Sequence, residues 1–311
     1  MTGVAAEPAA VTVVEGGPVP PVHRGRSALA RAGWFVASVL LVCVLWEAYK
    51  VVGSPDGGSL FGVRVLPRAD DASMPHVWQV LRRFGRPESA ATDSSSVAVA
   101  VLEAVWFTFR VAMAGLVLGV LVGIGLGMLM DRFALAERGL LPYVVLSQTV
   151  PLVALAPLVV GWGGRVHVGS VTWRPWMSVA VIAAYLAFFP VAVGVLRGLR
   201  SPSAHSVELM RSFSASWWQT FRRLRLPASV PYLIPALRLA AASAVVGAIV
   251  AEISTGIRGG IGRLVIEYSR EATSDPAKVW TAFLGAALLG LVVAGLVALL
   301  DAGLSRYRPA S

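Results

Sequence analysis

Few residues of this chain could do chemistry, and their spacing excludes the commonest kinds. Neither of its two lysines, Lys50 and Lys278, is preceded by glycine, so no G-x-x-x-x-G-K-[ST] phosphate loop exists to hold ATP. The four histidines, His23, His76, His167 and His205, have no i, i+4 partner that would make a metal site, and His205 reads as a loop side chain. Cys43, the single cysteine, lies inside an apolar run and reads as a small buried hydrophobe without a disulfide. No nucleophile stands with a base, so no catalytic residue is assigned and the chain reads as a non-enzyme. What remains is a set of isolated ionisable residues in apolar runs, Glu103, Arg110, Arg238 and Glu252, and one polar, arginine-rich stretch, Ser201 to Pro227, SPSAHSVELMRSFSASWWQTFRRLRLP.

The elements that must position these residues are membrane helices. Of the 311 residues, 56% are hydrophobic and only 14% charged, with a mean hydropathy of +0.71. Soluble domains carry about 25% charged residues, so this is a polytopic membrane protein in contact with lipid. The net charge of +10 does not point to nucleic acid, because the basic residues are scattered among loops flanking apolar runs. Residues 1–33 read as a disordered cytoplasmic tail without a cleavable signal peptide, ending in Arg24, Arg26 and Arg31. A first span, Trp34 to Val52, has Glu47 and Lys50 near its far end, and with the loop to residue 96 it forms a separate region. In that loop Val77, Leu81 and Phe84 recur at helical spacing, predicting an interfacial helix over Met74–Phe84 with Arg82, Arg83 and Arg86 on its solvated face.

The core, residues 97–305, holds five more spans. Val97 to Met130 would measure roughly 50 Å as a helix, longer than one bilayer crossing, so its first third lies in the interface or tilts. Gly115, Gly119, Gly123 and Gly127 form a stripe for close helix packing, and Glu103 shares a face with Arg110, predicting a pair. Beyond Asp131-Arg132, Leu140 to Gly163 contains Pro142, Pro151 and Pro157 with Ser147, Gln148 and Thr149. Prolines free backbone carbonyls, which a bilayer tolerates only against protein or a water-filled cavity, so Gln148, Thr149 and Pro151 are the candidates for lining a pathway. Bonding to neighbouring helices is the alternative for the polar side chains.

Trp176 to Leu196 is the fourth span, Tyr232 to Ile253 the fifth and Val279 to Leu300 the sixth. Between the last two, GIRGGIG and IEYSREATSDP form a loop with a short helix. Glu252, near the end of the fifth span, reads as an interfacial carboxylate, with a gate facing the pathway as the alternative. Arg306 and Arg308 place the C-terminal tail, 306–311, inside. Together this is an all-α protein of six spans with both termini cytoplasmic.

The polar stretch reads as helix, turn, helix. Ser201 is the expected N-cap of the first helix, with Pro202 at its first position. Ser216 and Gln219 make a capping box for the second, which is expected to stop near Pro227. Glu208, then Ser214 ten residues before Leu224, then Leu226-Pro227 resemble the E-A-A-x3-G-x9-I-x-L-P loop of binding-protein-dependent ABC transporter permeases. Leu209 and Met210 stand for the alanines, Ser214 for the glycine and Leu224 for the isoleucine. The glycine change matters most, because positive φ costs other residues roughly 1 kcal/mol. GLVLGVLVGIGLGMLM, QTVPLVALAPLVVGWGG, AFFPVAVGVLRGLRS, ALRLAAASAVVGAIVAEI and GGIGRLVIEYSR resemble successive blocks of the nitrate, sulfonate, taurine and pyrimidine-precursor branch, over about residues 98 to 305.

The resemblance implies the type I ABC importer permease fold and a multi-pass homodimer in the cell membrane. It also implies a solute-binding protein outside and separate ATPase subunits inside that carry ATP and Mg²⁺. The loop 197–230 would then be the coupling loop. Glu208 and Arg211 would make polar contacts to the ATPase, Ser214 the turn, and Trp217, Trp218 and Phe221 buried anchors, with Leu226-Pro227 closing the motif. A secondary transporter or channel is the reading of another class. It would place several ionisable groups at the midplane, whereas these charges cluster near span ends. An integral-membrane enzyme would need a clustered nucleophile and base. The solute remains open among small polar solutes, with QTVPLVALAPLVV slightly closer to the pyrimidine-precursor type.

Overall fold

The computed structural model describes residues 28–60, 63–64, 67–89, 94–165, 167–168 and 171–304. The expected terminal tails, with His23, Arg24, Arg26, Arg306 and Arg308, lie outside these residues, apart from the start of the first helix. The chain divides at Tyr49/Lys50 into two units. The first holds most of α1, Ala28–Val52, an apolar helix long enough to span a bilayer.

Among the described residues the second unit is mostly helical, with two hairpins whose strands are two residues each, Ser59–Leu60 with Val63–Arg64 and His167–Val168 with Val171–Thr172. Its helices are α2 (Val77–Phe84), α3 (Val97–Arg132), α4 (Ala134–Leu146), α5 (Leu152–Gly163), α6 (Pro175–Leu199), α7 (Ala204–Ser212), α8 (Trp217–Thr220), α9 (Leu226–Thr255), α10 (Ile261–Arg270) and α11 (Pro276–Leu304). Five helical segments, α1 among them, are long and apolar enough to cross a membrane. A sixth crossing is made only if the bent pair α4–α5 counts as one.

Helix α6 is the centre of the second unit, packed between α3 and α9, with Val179, Ile182, Ala183, Ala187 and Val191 fully enclosed. The approach of α3 to α6 is set by the glycine stripe. A methyl group built on Gly119 would lie 2.8 Å from the Ala184 carbonyl oxygen, and one on Gly123 would lie 2.7 Å from both the Phe188 oxygen and the Val191 Cβ. Gly115 and Gly127 meet α6 in the same way. Lipid supplies no hydrophobic drive between helices, so this van der Waals closeness is what holds them. Helix α3 is one continuous element of 36 residues, started by Ser96, whose Oγ accepts from the Val99 amide. Glu103 and Arg110 do not pair on it; the Arg110 guanidinium instead lies over the Trp106 ring, 5.7 Å from its centroid.

The third apolar run is broken. Helices α4 and α5 meet at 103° across a single 3₁₀ turn, Ser147–Thr149. Pro151 has no N–H to continue the ladder, and the Ser147 and Thr149 hydroxyls donate back to the Val144 and Leu146 carbonyls at 2.7 and 2.8 Å. The Tyr185 hydroxyl of α6 donates to the Ser147 carbonyl and pins the elbow. Helix α2 starts at Val77, capped by His76, and not at Met74 as expected, and its arginines are not all solvated. Arg83 Nε donates to Asp275 at 2.5 Å, fastening α2 to the start of α11.

Candidate coupling loop and solute pathway

The stretch from Ser201 to Pro227 folds as a short helix, a turn on Ser214 and the start of a second helix, and it differs from the reading of its sequence in the first N-cap, in where the second helix ends and in the place of Phe221. The N-cap of α7 is Ser203, not Ser201: Ser203 Oγ accepts from the Ser206 amide at 3.2 Å. Ser201 Oγ donates instead to the Gly198 and Ala228 carbonyls, at 2.8 and 3.2 Å, joining the end of α6 to the start of α9. The turn after α7 is built on Ser214, the one described non-glycine residue with positive φ, at 52°. The Ser214 amide donates to Arg211 and the Ala215 amide to Met210, at 2.8 and 3.0 Å, the two bonds of a Schellman C-cap. Serine therefore takes the left-handed place that glycine fills without cost.

The second helix starts as expected. Ser216 Oγ accepts from the Gln219 amide at 3.3 Å, and Gln219 Oε1 accepts from the Ser216 amide at 2.8 Å. It does not stop at Pro227. Helix α8 passes into a π-turn, Phe221–Arg225, and then into α9, so one helical segment runs from Trp217 to Thr255. In the π-turn the Leu226 amide reaches back five residues to the Phe221 carbonyl. The ladder is already displaced where Pro227 lacks its donor, which is why the proline is tolerated.

Side chains on this loop fall into two groups. Glu208, Leu209, Arg211, Phe213, Trp217, Trp218, Leu226 and Pro227 are exposed; Phe213 is 75% and Trp218 57% accessible. Phe221, expected as a docking anchor, is 5% accessible and packs into the chain's own core, stacked against Trp217 and Trp218 at 5.2 and 5.3 Å between ring centroids. The exposed apolar residue Phe213 was not singled out in the sequence, and Leu209 was read only as standing for an alanine of the motif.

The base of the loop is held by a charge cluster that the sequence showed only as a turn. Asp131, at the end of α3, is 2% accessible at its side chain and accepts from Arg225 Nη1 with both oxygens, at 2.9 and 2.7 Å. Arg200, at the end of α6, lies 3.8 Å from the same carboxylate, and its fork donates to both Glu137 oxygens. Arg132 stacks over Trp217, 5.1 Å from the ring centroid. The ends of α3 and α6, the start of α4 and the π-turn are thus tied through one buried carboxylate.

Of the residues expected to line a pathway, Gln148, Thr149 and Pro151 sit together, exposed, on the α4–α5 elbow. Glu252 is elsewhere and is turned away from the surface: it is fully enclosed. Its carboxylate accepts from Thr108 Oγ1 at 2.9 and 3.0 Å and from the Gly262 amide at 2.9 Å, while Thr108 Oγ1 accepts from the Ile261 amide at 2.9 Å. Glu252 fastens the N-terminus of α10 to α9 and α3. Glycine is required beside it, since a methyl group on Gly262 would lie 2.5 Å from the Ile249 carbonyl oxygen.

A glycine-keyed bundle with a bent helix pair and an exposed two-helix loop is the architecture of an importer permease. Residues 115–306 match the family of binding-protein-dependent transport system inner membrane components, and the chain belongs to it. It has the type I ABC importer permease fold, is multi-pass in the cell membrane, and is a transport component and not an enzyme. It is 33% identical over 184 residues to the formylaminopyrimidine transport permease protein ThiX of Halalkalibacterium halodurans, covering 57% of this chain and 70% of that one. It is 30% identical over 171 residues to the riboflavin transport system permease protein RibX of Chloroflexus aurantiacus, covering 55% and 59%. A "Probable ABC transporter permease protein" of Haemophilus influenzae is 33% identical over 161 residues, covering 52% and 62%.

Proposed function

We propose that this chain, as a homodimer, forms the transmembrane pathway of an ABC importer for a small polar solute. An extracytoplasmic binding protein delivers the solute, and separate ATPase subunits carrying ATP and Mg²⁺ drive the transport. Residues 201–227 are the ATPase-docking loop on the cytoplasmic side, where both termini also lie. The observation that carries this reading is the union of an exposed aromatic and charged surface with an unbroken helix: Glu208, Arg211, Trp217 and Trp218 face outward, and α8 continues through the π-turn into α9. A push on α8 is then delivered directly to a helix packed on α6. The exposed elbow with Gln148, Thr149 and Pro151 lines the pathway, with the polar Gln148 and Thr149 side chains turned toward it. A heterocyclic solute related to pyrimidine precursors fits the permeases to which the chain is similar.

The test is capture of the ATPase by the detergent-solubilised protein, wild type beside a Glu208→Arg, Trp217→Ala double variant. Retention by wild type and loss by the variant is the expected result. Equal retention would remove residues 201–227 from the coupling role, and solute uptake that persists without any ATPase would overturn the ABC mechanism itself.

A further inference from the structure

The charge cluster at the base of the loop is shared unevenly between two carboxylates. Asp131 is enclosed, 2% accessible at its side chain, and among the described residues Arg225 is the one cation at hydrogen-bond distance from it. Arg200 stands between the two acids. Its Nη1 and Nη2 donate to the two oxygens of Glu137, the second at 2.8 Å, while its Nε lies 3.8 Å from Asp131 Oδ1, close enough for an ion pair but too far for a hydrogen bond. Closing that gap to an ordinary N–H···O bond takes about 1 Å. The Arg200 and Glu137 side chains are 43% and 24% accessible, so water can replace either partner for the other, which it cannot do at Asp131.

The elements that carry these residues give the arrangement a direction. Arg225 belongs to the π-turn, on the helical segment that begins with α8. Arg200 ends α6, and Glu137 is in the first turn of α4, which leads to the elbow at Ser147–Thr149. A buried carboxylate stripped of its close cation is strongly destabilising, whereas a part-exposed ion pair is worth little. Any movement that draws Arg225 off Asp131 is therefore best offset by Arg200, which is already at ion-pair distance and gives up only its bonds to Glu137. We infer that Arg225 and Arg200 exchange places on Asp131 when the docking loop is displaced, and that the exchange releases Glu137 and with it the start of α4. Arg200 is thus a positioning residue for transport, carrying a movement of the loop to the α4–α5 elbow through a change of partner. The inference rests on residues 201–227 being the ATPase-docking loop.

The test is amide hydrogen exchange of the full-length protein in phosphatidylcholine nanodiscs, read at residues 137–141, where the Glu137 amide bonds the Phe133 carbonyl at 3.1 Å. Arg225→Gln imitates withdrawal of the arginine. Exchange at 137–141 is expected to rise by about tenfold or more, as for loss of a charge-assisted bond, although Arg225 itself bonds to α3 and not to α4. Arg200→Gln alone gives a similar rise, and adding Arg225→Gln to it raises exchange there no further. Unchanged exchange at 137–141 in Arg225→Gln would overturn the proposal, since a fixed tie between Arg200 and Glu137 is indifferent to Arg225. An equal rise at residues 179–187 of α6 would also overturn it, by showing general loosening. If Arg225→Gln does not fold, its combination with Glu137→Gln decides: with no second acid competing, Arg200 settles on Asp131 and folding returns, and a double variant that stays unfolded refutes the exchange. No ATPase is present in this assay, so its failure leaves the docking role of the loop standing, and capture of the ATPase tests that role separately.

Discussion

Arg225 grips Asp131 with a single nitrogen, Nη1 lying 2.9 and 2.7 Å from the two carboxylate oxygens, and so joins the π-turn to the end of α3. The bond links two segments 94 residues apart in the chain. Removing one partner of a buried pair costs about 3–5 kcal/mol, and the partial exposure of Arg225 puts this pair at the lower limit. Asp131→Asn is therefore expected to destabilise the protein by about 3 kcal/mol. Thermal unfolding in detergent of the two single variants and the Asp131→Asn, Arg225→Gln double variant checks this. The double variant should lose clearly less than the sum of the singles.

Ser214 holds a left-handed conformation that glycine adopts freely. Ser214→Gly is expected to stabilise the turn by about 1 kcal/mol, and Ser214→Val to destabilise it by more. Amide hydrogen exchange at Ser214 and Ala215, whose amides close the C-cap, reads the difference. Slower exchange in Ser214→Val would refute the strain.

Trp218 and Phe221 stack on each other but face opposite ways energetically. Phe221→Ala empties a core position and is expected to cost about 3–5 kcal/mol. Trp218→Ala, at an exposed position, should leave the unfolding temperature within a degree or two of wild type, roughly 0.5 kcal/mol, while abolishing capture of the ATPase. Capture that survives Trp218→Ala would remove this ring from the docking surface.

The glycine stripe has an internal control. Gly119→Ala puts a methyl group against the Ala184 carbonyl, whereas Gly125, on the same helix, has nothing within 4 Å of where a Cβ would stand. Gly119→Ala is expected to destabilise by about 1–3 kcal/mol through overpacking. Gly125→Ala should gain up to about 1 kcal/mol of helix propensity. Size-exclusion profiles after a heat step distinguish the two, and equal behaviour would mean that the stripe does not set the α3–α6 distance.

Glu252 predicts a local effect. Glu252→Ala leaves the Gly262 amide without its acceptor and frees Thr108, so hydrogen exchange at Gly262 and Ile261 should rise by roughly tenfold or more, the loss of one buried bond. Unchanged exchange there would show that the N-terminus of α10 is held by packing alone.

The spans were legible in the sequence because a bilayer demands long apolar runs, and the capping box at Ser216 was legible because it is local. Its continuation was not: proline stops a regular α-helix, and nothing in the letters announces the five-residue ladder of Phe221–Arg225 that admits Pro227. The N-cap moved from Ser201 to Ser203 because Ser201 found partners in α6 and α9, a tertiary choice between two equally suitable serines. The enclosure of Glu252 was not legible, because a lone carboxylate near a helix end gives no hint of Thr108, 144 residues earlier in the chain. Asp131 was passed over for the same reason, its meaning lying in Arg225 and Arg200.

The π-turn also fixes an angular phase. An α-helix rotates about 100° per residue, and a π-turn accommodates one residue more than the α-ladder would. Deleting one residue between Phe221 and Arg225 would give plain α-helix with the phase kept, whereas plain α-helix from Trp217 to Thr255 with every residue retained would turn Trp217 and Trp218 by about 100° relative to the face of α9 that meets α6. The loop's position along the sequence would be nearly unchanged, yet its aromatic face would point elsewhere. The direction in which a partner can pull on the span is therefore set by a single residue of helical register.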